Sequence, residues 1–309
     1  MAMTSTHPST DIALILETAG VEISKIGERE ITGKCPVHVR VVGREDRSPS
    51  WSINSSSGLW ICFSCGARGT LSSLLHELIG DASISAQQFL INAGMDRLTS
   101  ESTKEISTPV VDRDAFFRFD RVSGARCAAK NLDPDLVYRF GVRWNLANKS
   151  WAIPIISPLG QLQGWQEKKP GWVRNFPVGV KKGHTLFGIE RFLGKTAVLV
   201  ESPLDIVRFA SVYKKPCALA SFGAHVTMEQ MKLLLHVADA VVVAMDNDEA
   251  GIESSKKIYK IMGTPRRGIK WWNYSGTSAK DIGDMSDDEI EQGFVTATVV
   301  PPWIEDVQR

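Results

Sequence analysis

The sequence predicts a multidomain α+β/α/β chain: a zinc ribbon, followed by a mixed α/β core built on a parallel sheet with flanking helices. Three observations lead there. Cys35-Pro-Val-His38 and Cys62-Phe-Ser-Cys65 are two ligand pairs at zinc spacing. From residue 195 onward, short apolar strands alternate with segments of helical period. Between these regions, residues 113–182 hold thirteen Lys or Arg against five Asp or Glu.

The 309 residues are 43% hydrophobic, enough to bury more than one core, and the length suggests two or three domains. No run approaches the roughly 18 apolar residues of a membrane span. The opening MAMTSTHPSTD lacks the basic region and apolar core of a signal peptide. No membrane association is expected, and the expected compartment is the cytoplasm of a bacterium or of a phage-infected host. Five cysteines, two of them in a CxxC pair, fit metal binding in a reducing cytosol better than a disulfide framework. Cys127 and Cys217 are left over and read as core residues. A net charge of +1 excludes a uniformly basic nucleic-acid coat, yet the charge is uneven. From Asp281 onward there are eight acidic residues and one Arg. Such a division suits phosphate contacts in one zone and metal ligation in another.

Taken in order, residues 11–26 have helical apolar spacing, residues 33–70 form a compact Cys/His/Trp segment, and residues 71–90 return to helical period. Residues 1–95 are therefore read as the zinc-binding domain, and the polar, Ser/Thr-rich stretch 96–112 as a linker. A basic segment follows over 113–194, with strands such as Ala152–Ile156. Over 195–285 the strands Thr196–Val200, Cys217–Ser221, Ala240–Met245 and Ile269–Trp272 alternate with helices at Asp205–Tyr213, Thr227–His236 and Glu249–Met262. That alternation calls for a parallel sheet with crossover helices. Residues 286–309 are left as a tail.

Cys35, His38, Cys62 and Cys65 form a Cys3His set able to close one tetrahedral, structural Zn²⁺ site. The 23 residues between the pairs contain a hairpin pattern, Trp51–Ile53 and Leu59–Ile61 around Asn54-Ser-Ser-Ser-Gly58. GKCPVH, RSPSWSI (47–53) and LWICFSCGARGTLSSLL (59–75) resemble the CHC2 zinc domain of DnaG-type primases. The resemblance implies that this ribbon contacts template DNA. The loop VRVVGREDR (39–47) is longer than usual for that family.

Glu201 ends one apolar strand and Asp205 follows four residues later. Asp246-Asn-Asp248-x-x-Gly251 ends another strand and opens a helix. Ligands of open parallel sheets bind at the carboxyl ends of strands, and carboxylates there are hard oxygen ligands for Mg²⁺ or Mn²⁺. Glu201, Asp246 and Asp248 are the candidate catalytic set, holding two such ions that would activate a 3′-hydroxyl and stabilise a leaving pyrophosphate. The bland alternative is that an Asp at a helix start is only an N-cap. ESPLD (201–205) and DNDEAG (246–251) resemble the TOPRIM signature, with Ser202-Pro203 replacing the usual glycine-containing turn. SAKDIGDM (278–285) resembles the Lys-Asp motif that closes the primase version. This implies that Asp281 is a further metal ligand and that Lys280 contacts phosphate.

The basic middle is similar to the first part of the primase polymerase core: WAIPIISPLGQLQGW (151–165), VRNFP (173–177), and Lys182 before LFG (186–188). Lys168, Lys169, Arg174, Asn175, Lys181 and Lys182 are candidates for nucleotide or template phosphate. Trp144, Trp151, Trp165 and Trp172 are available to stack bases, though strand tryptophans are more often core. Gly188 to Thr196 only mimics a P-loop: five residues separate the glycines, and a strand follows rather than a helix. No fused helicase is expected.

Together these features imply a zinc ribbon followed by a mixed α/β primase core containing a TOPRIM sheet. The expected activity is DNA-templated synthesis of RNA primers, with single-stranded DNA, NTPs and a separate replicative helicase as partners. The short stretch after Met285 suggests a phage or plasmid enzyme. The alternative is a non-catalytic, RecR-like recombination mediator. Those proteins carry four cysteines, whereas this chain has His38 and retains Glu201.

Overall fold

The structure is a computed structural model and describes residues 8–79, 111, 113–192, 194–262 and 268–305. The chain divides into two compact units, one within Met1–Pro109 with Pro158–Gln161, the other within Val110–Ser157 and Leu162–Arg309.

The first unit opens with α1 (Pro8–Thr18) and continues as an antiparallel meander of β1 (Ile23–Ile26), β2 (Glu30–Gly33), β3 (Trp51–Asn54), β4 (Leu59–Cys62) and β5 (Arg68–Thr70). A short α2 (His38–Val42) interrupts it, and α3 (Leu71–Ile79) ends it. Strict alternation buries Trp51 and Ile53 on β3 and Trp60 and Cys62 on β4. Ile12, Ile15 and Leu16 of α1 and Leu71, Leu74 and Leu75 of α3 close that core. The β3–β4 turn is held by Asn54 Oδ1, which accepts the N–H groups of Ser56 (3.0 Å) and Ser57 (2.9 Å), and Gly58 takes the left-handed φ of 68° that follows.

The helix expected over 11–26 stops at Thr18, and Ile23–Ile26 becomes β1, paired with β2. Gly20 adopts φ 80°, which breaks the helix, and beyond it the apolar residues fit a period of two as well as 3.6. The helix expected from 71 is seen to Ile79. Its remainder, and the linker at 96–112 except Val111, lie outside the described residues.

The second unit begins with α4 (Arg113–Phe117), α5 (Gly124–Ala128) and α6 (Pro134–Arg139). Asp133 caps α6, accepting the N–H of Asp135 at 2.9 Å, with Pro134 at the first helical position. An antiparallel meander follows: β6 (Arg143–Asn145), β7 (Ser150–Ile156), β8 (Leu162–Lys169) and β9 (Trp172–Phe176). One face carries Trp151, Ile153 and Ile155 into the main core, and the other packs Ala152, Leu162 and Trp165 around Phe116 of α4. Period-two alternation therefore sends Gln166 and Lys168 to the first face, and Glu167 and Lys169 to the second.

The parallel sheet has the order β11-β10-β12-β13 and comprises β10 (Thr196–Val200), β11 (Ala218–Ala220), β12 (Ala240–Val243) and β13 (Ile269–Trp271). Its crossovers are α7 (Pro203–Tyr213), α8 (Met228–Val237) and α9 (Glu249–Met262). Covered on both faces, β10 and β12 are buried over nearly their whole length, the reason they read as continuous apolar runs. Residues 286–305, set apart above as a tail, form α10 (Asp287–Val295) and α11 (Pro302–Glu305). Ile290 and Ala297 join the main core, and Thr298 bridges to Trp271. No helix among the described residues is long and apolar enough to cross a membrane.

Candidate metal centres and catalytic edge

In the first unit, Cys35 follows β2, His38 opens α2, Cys62 ends β4, and Cys65 sits in the turn before β5. Their ligand atoms all lie within 4.8 Å of one another. Cys35 Sγ is 3.8 Å from Cys65 Sγ, and Cys62 Sγ is 3.8 Å from His38 Nδ1. A tetrahedron with bonds of about 2.3 Å has edges of about 3.8 Å, so the four residues fit one Zn²⁺. Burial raises the Cys62 pKa, but hydrogen bonds from the Cys65 N–H, Ser50 and His38 outweigh it and bring the thiol down to about 7. Burial pushes the Cys35 thiol up. Asp46 is a supporting residue the sequence did not single out. Its Oδ2 accepts the Cys35 N–H (2.8 Å) and the Ser50 hydroxyl (2.6 Å), which pins the long loop against the ligands.

In the second unit, the carboxyl ends of β10 and β12 gather the acidic residues. Carboxylate oxygens of Asp205, Asp246 and Asp281 lie within 4.8 Å of one another. Glu201 stands beside them, its Oε1 accepting the Asp246 N–H at 3.3 Å. Asp248, expected as a metal ligand with Glu201 and Asp246, lies beside them and shares Lys280 with Asp246. Its Oδ1 accepts the Gly251 N–H (2.9 Å) and its Oδ2 pairs with Lys280 (3.0 Å). A carboxylate at the start of α9 satisfies an orphan helix donor through Oδ1, the N-cap geometry, and its Oδ2 faces Lys280. Gly251 is required here because a methyl group would overlap the Asp246 carbonyl. Asp281 reaches the cluster from the 3₁₀ turn Ile282–Asp284, which it caps. The loops that carry Asp246 and Asp281 are tied by the Asn247 N–H to the Lys280 carbonyl (2.6 Å).

Asp205 is the member sequence reasoning missed. It is buried in the first turn of α7, where an acidic residue is commonplace, and only its spacing of four from Glu201 marked it. Burial, then the neighbouring Asp281 carboxylate, raises its pKa well above the usual value. Burial and the Asp246 charge push Glu201 up to about 7. Burial and the Asp281 charge push Asp246 up to about 6. The Gly251 N–H and Lys280 hold Asp248 below its ordinary value. Tyr274 completes the surroundings, donating its hydroxyl to the Met245 carbonyl at 2.8 Å. Crowded, buried carboxylates with raised pKa values fit a divalent cation, which would neutralise their charge.

The basic candidates divide by sheet face. Lys168 Nζ reaches Ser202 Oγ (3.0 Å) in the turn between Glu201 and α7. Lys280 lies 3.9 Å from Asp246 Oδ2. Lys182 donates to the Phe222 carbonyl (2.6 Å), and burial lowers its pKa. Gln166 links Asn175 (3.1 Å) to the same carbonyl (3.4 Å). The Gly223 N–H that follows bonds the Glu201 carbonyl at 2.9 Å, so Lys182, Gln166 and Asn175 brace the loop beside the acids. Lys169 and Arg174 are on the opposite face, 5.0 and 5.5 Å from the ring of Trp172. Trp165 stacks on Phe176 at 5.6 Å, and Trp144 meets Trp151 edge-on at 5.9 Å, so these rings serve packing.

Comparison with known proteins agrees with this layout. A CHC2 zinc finger model matches residues 2–103 and a Toprim-like model matches residues 198–286. The DNA primase of Clostridium acetobutylicum is 21% identical over 303 residues, covering 78% of this chain and 49% of its own. That of Neisseria meningitidis is 23% identical over 310 residues, covering 78% and 50%. The chain thus spans about half the length of these curated relatives. Among solved structures, the zinc-binding and RNA polymerase domains of Aquifex aeolicus primase share the fold, with a TM-score of 0.50, 17% identity and coverage of 95% of this chain and 86% of that one. Fold and site define a protein that joins a CHC2 zinc ribbon to a Toprim sheet edge. In these two matches, and in the relatives that share them, the chain is similar to DnaG-type primases.

Proposed function

We propose that this chain is a DNA primase that synthesises short RNA primers on single-stranded DNA from NTPs by metal-dependent nucleotidyl transfer. The observation that carries this reading is the convergence of Asp205, Asp246 and Asp281 at the carboxyl edge of the parallel sheet, with Glu201 in contact. Mg²⁺ or Mn²⁺ held by that triad would supply the Lewis-acid chemistry at the 3′-hydroxyl and the leaving pyrophosphate. Glu201, with a pKa near 7, is suited to accept the hydroxyl proton at its carboxylate. Lys280 and Lys168 flank the triad and place positive charge where triphosphate oxygens would lie. The zinc ribbon contacts the template, and Lys169, Arg174 and Trp172 offer a second, separate template contact. A replicative helicase acts as a separate partner. Cys3His ligation and the buried Glu201 speak against the mediator alternative.

The test is primer synthesis on mixed-sequence single-stranded DNA with labelled NTPs and either ion. Short RNA products are the expected result. No product with either ion, with and without helicase, from protein that retains zinc and binds DNA would favour the mediator. The two faces of β8 also give opposed expectations. Lys168→Ala should lower kcat/KM for NTPs by about tenfold to a hundredfold, the size of a lost charge-assisted phosphate contact. Lys169→Ala should leave dinucleotide formation within about twofold and flatten the salt dependence of DNA binding by about one phosphate contact.

A further inference from the structure

We propose that Arg208 is a positioning residue for the acid triad, fastening the turn that carries Asp281 to the helix that carries Asp205. The proposal rests on the metal-binding reading of that triad. Asp205 and Arg208 are three residues apart on α7 and so share a helical face. Arg208 is 5% exposed, and its Nη2 donates to the Met285 carbonyl (2.8 Å) and to Asp287 Oδ1 (2.6 Å). Both acceptors immediately follow the 3₁₀ turn capped by Asp281, whose Oδ1 accepts the Asp284 N–H at 3.0 Å. The turn lies directly on the two carboxylates: a methyl group on Gly283 would come within 3.0 Å of Asp205 Oδ1 and of Asp281 Oδ1.

Two carboxylates held within 4.8 Å of one another repel whenever both are ionised. Their proximity must therefore be imposed from outside the pair. Ile282 and Met285 supply apolar anchorage, but apolar contact is non-directional. The planar guanidinium, donating to two acceptors from one buried nitrogen, fixes the direction of the turn. Its cost argues against a role in stability alone. Nε of Arg208 is buried with no hydrogen-bond partner among the described residues, and Asp287 is largely exposed, so the pair itself adds little to stability.

The experiment is Mn²⁺ binding followed by electron paramagnetic resonance on the zinc-loaded full chain, alongside thermal melts. Arg208→Met should weaken Mn²⁺ binding by about tenfold, the scale on which supporting residues act at metal sites, while the melting temperature changes little. Arg208→Lys keeps the charge but cannot reproduce the planar, two-acceptor geometry, so it should give an intermediate affinity. An open surface depression beside Arg208, lined by Ser211, Lys214, Ser286 and Asp287, gives methylguanidinium access to restore binding in Arg208→Met. Unchanged Mn²⁺ affinity in both variants, whatever happens to the melts, would overturn the proposal. Wild type that binds no Mn²⁺ at the triad would overturn the metal reading, and this role with it.

Discussion

Asparagine in place of Asp246 is expected to reduce primer synthesis by about two to three orders of magnitude and, in the absence of divalent ions, to stabilise the protein at pH 7.5. The loss follows from removing a charged oxygen from the centre of the triad, where developing charge at the reacting phosphate must be met. The gain follows from the raised pKa values. Asp246 moves from 3.8 to about 6 and Glu201 from 4.5 to about 7, so between those limits the folded state binds more protons than the unfolded. Stability from both groups is therefore fully present below about pH 4 and is lost as pH rises through 6 and then 7. At pH 7.5 the metal-free wild type carries the full penalty. Asparagine removes the Asp246 share and relieves Glu201 of its nearest like charge, worth about 2 kcal/mol after allowance for partial solvation. Thermal melts at pH 5.5 and 7.5, with and without Mg²⁺, would show it. Metal-free wild type should lose stability toward pH 7.5 more steeply than Asp246→Asn, and Mg²⁺ should rescue wild type alone. A variant that melts lower than metal-free wild type at pH 7.5 would mean that the carboxylate is not held under repulsion.

The parts of the fold legible in the sequence were those written in local pattern. Thr196–Val200 and Ala240–Val243 could be read because strands covered on both faces leave no polar residue to confuse the period. The zinc ligands could be read because each pair grips from one turn. The rest depended on choices the local pattern leaves open. Residues 11–26 kept an apolar rhythm on both sides of Gly20, and only pairing with β2 decides that Ile23–Ile26 is a strand. Asp248 satisfies the spacing of a metal ligand and of an N-cap equally, and its Oδ1 does accept the Gly251 N–H. Lys168 and Lys169 are indistinguishable by type and position, yet a period of two places them on opposite faces. The contact from Arg208 to Met285 spans 77 residues, beyond the reach of any window.

Removal of zinc is expected to unfold the first unit and leave the second folded. Cys62 and Cys35 belong to the same buried cluster as Trp51, Trp60 and the inner faces of α1 and α3, so the metal is continuous with that core. Three thiols and an imidazole within 4.8 Å make only weak contacts with one another, so without an ion the ligand shell holds this core loosely. In isolated zinc fingers the ion contributes about 10 kcal/mol or more to folding. Here α1 and α3 supply apolar burial of their own, so several kcal/mol is the expected share. Hydrogen exchange after chelation should show loss of protection across Trp51–Cys62, with Thr196–Val200 and Ala240–Val243 unchanged. Cys62→Ser should reproduce that pattern in the presence of zinc. Mn²⁺ binding at the acid triad should survive in both cases, because none of its ligands belongs to the first unit. On the proposed reading, in which the ribbon contacts the template, template-dependent initiation should also be lost. If β3 and β4 kept their protection after chelation, the apolar core alone would hold the ribbon, and the four ligands would be retained for what the zinc presents to DNA rather than for what it holds together.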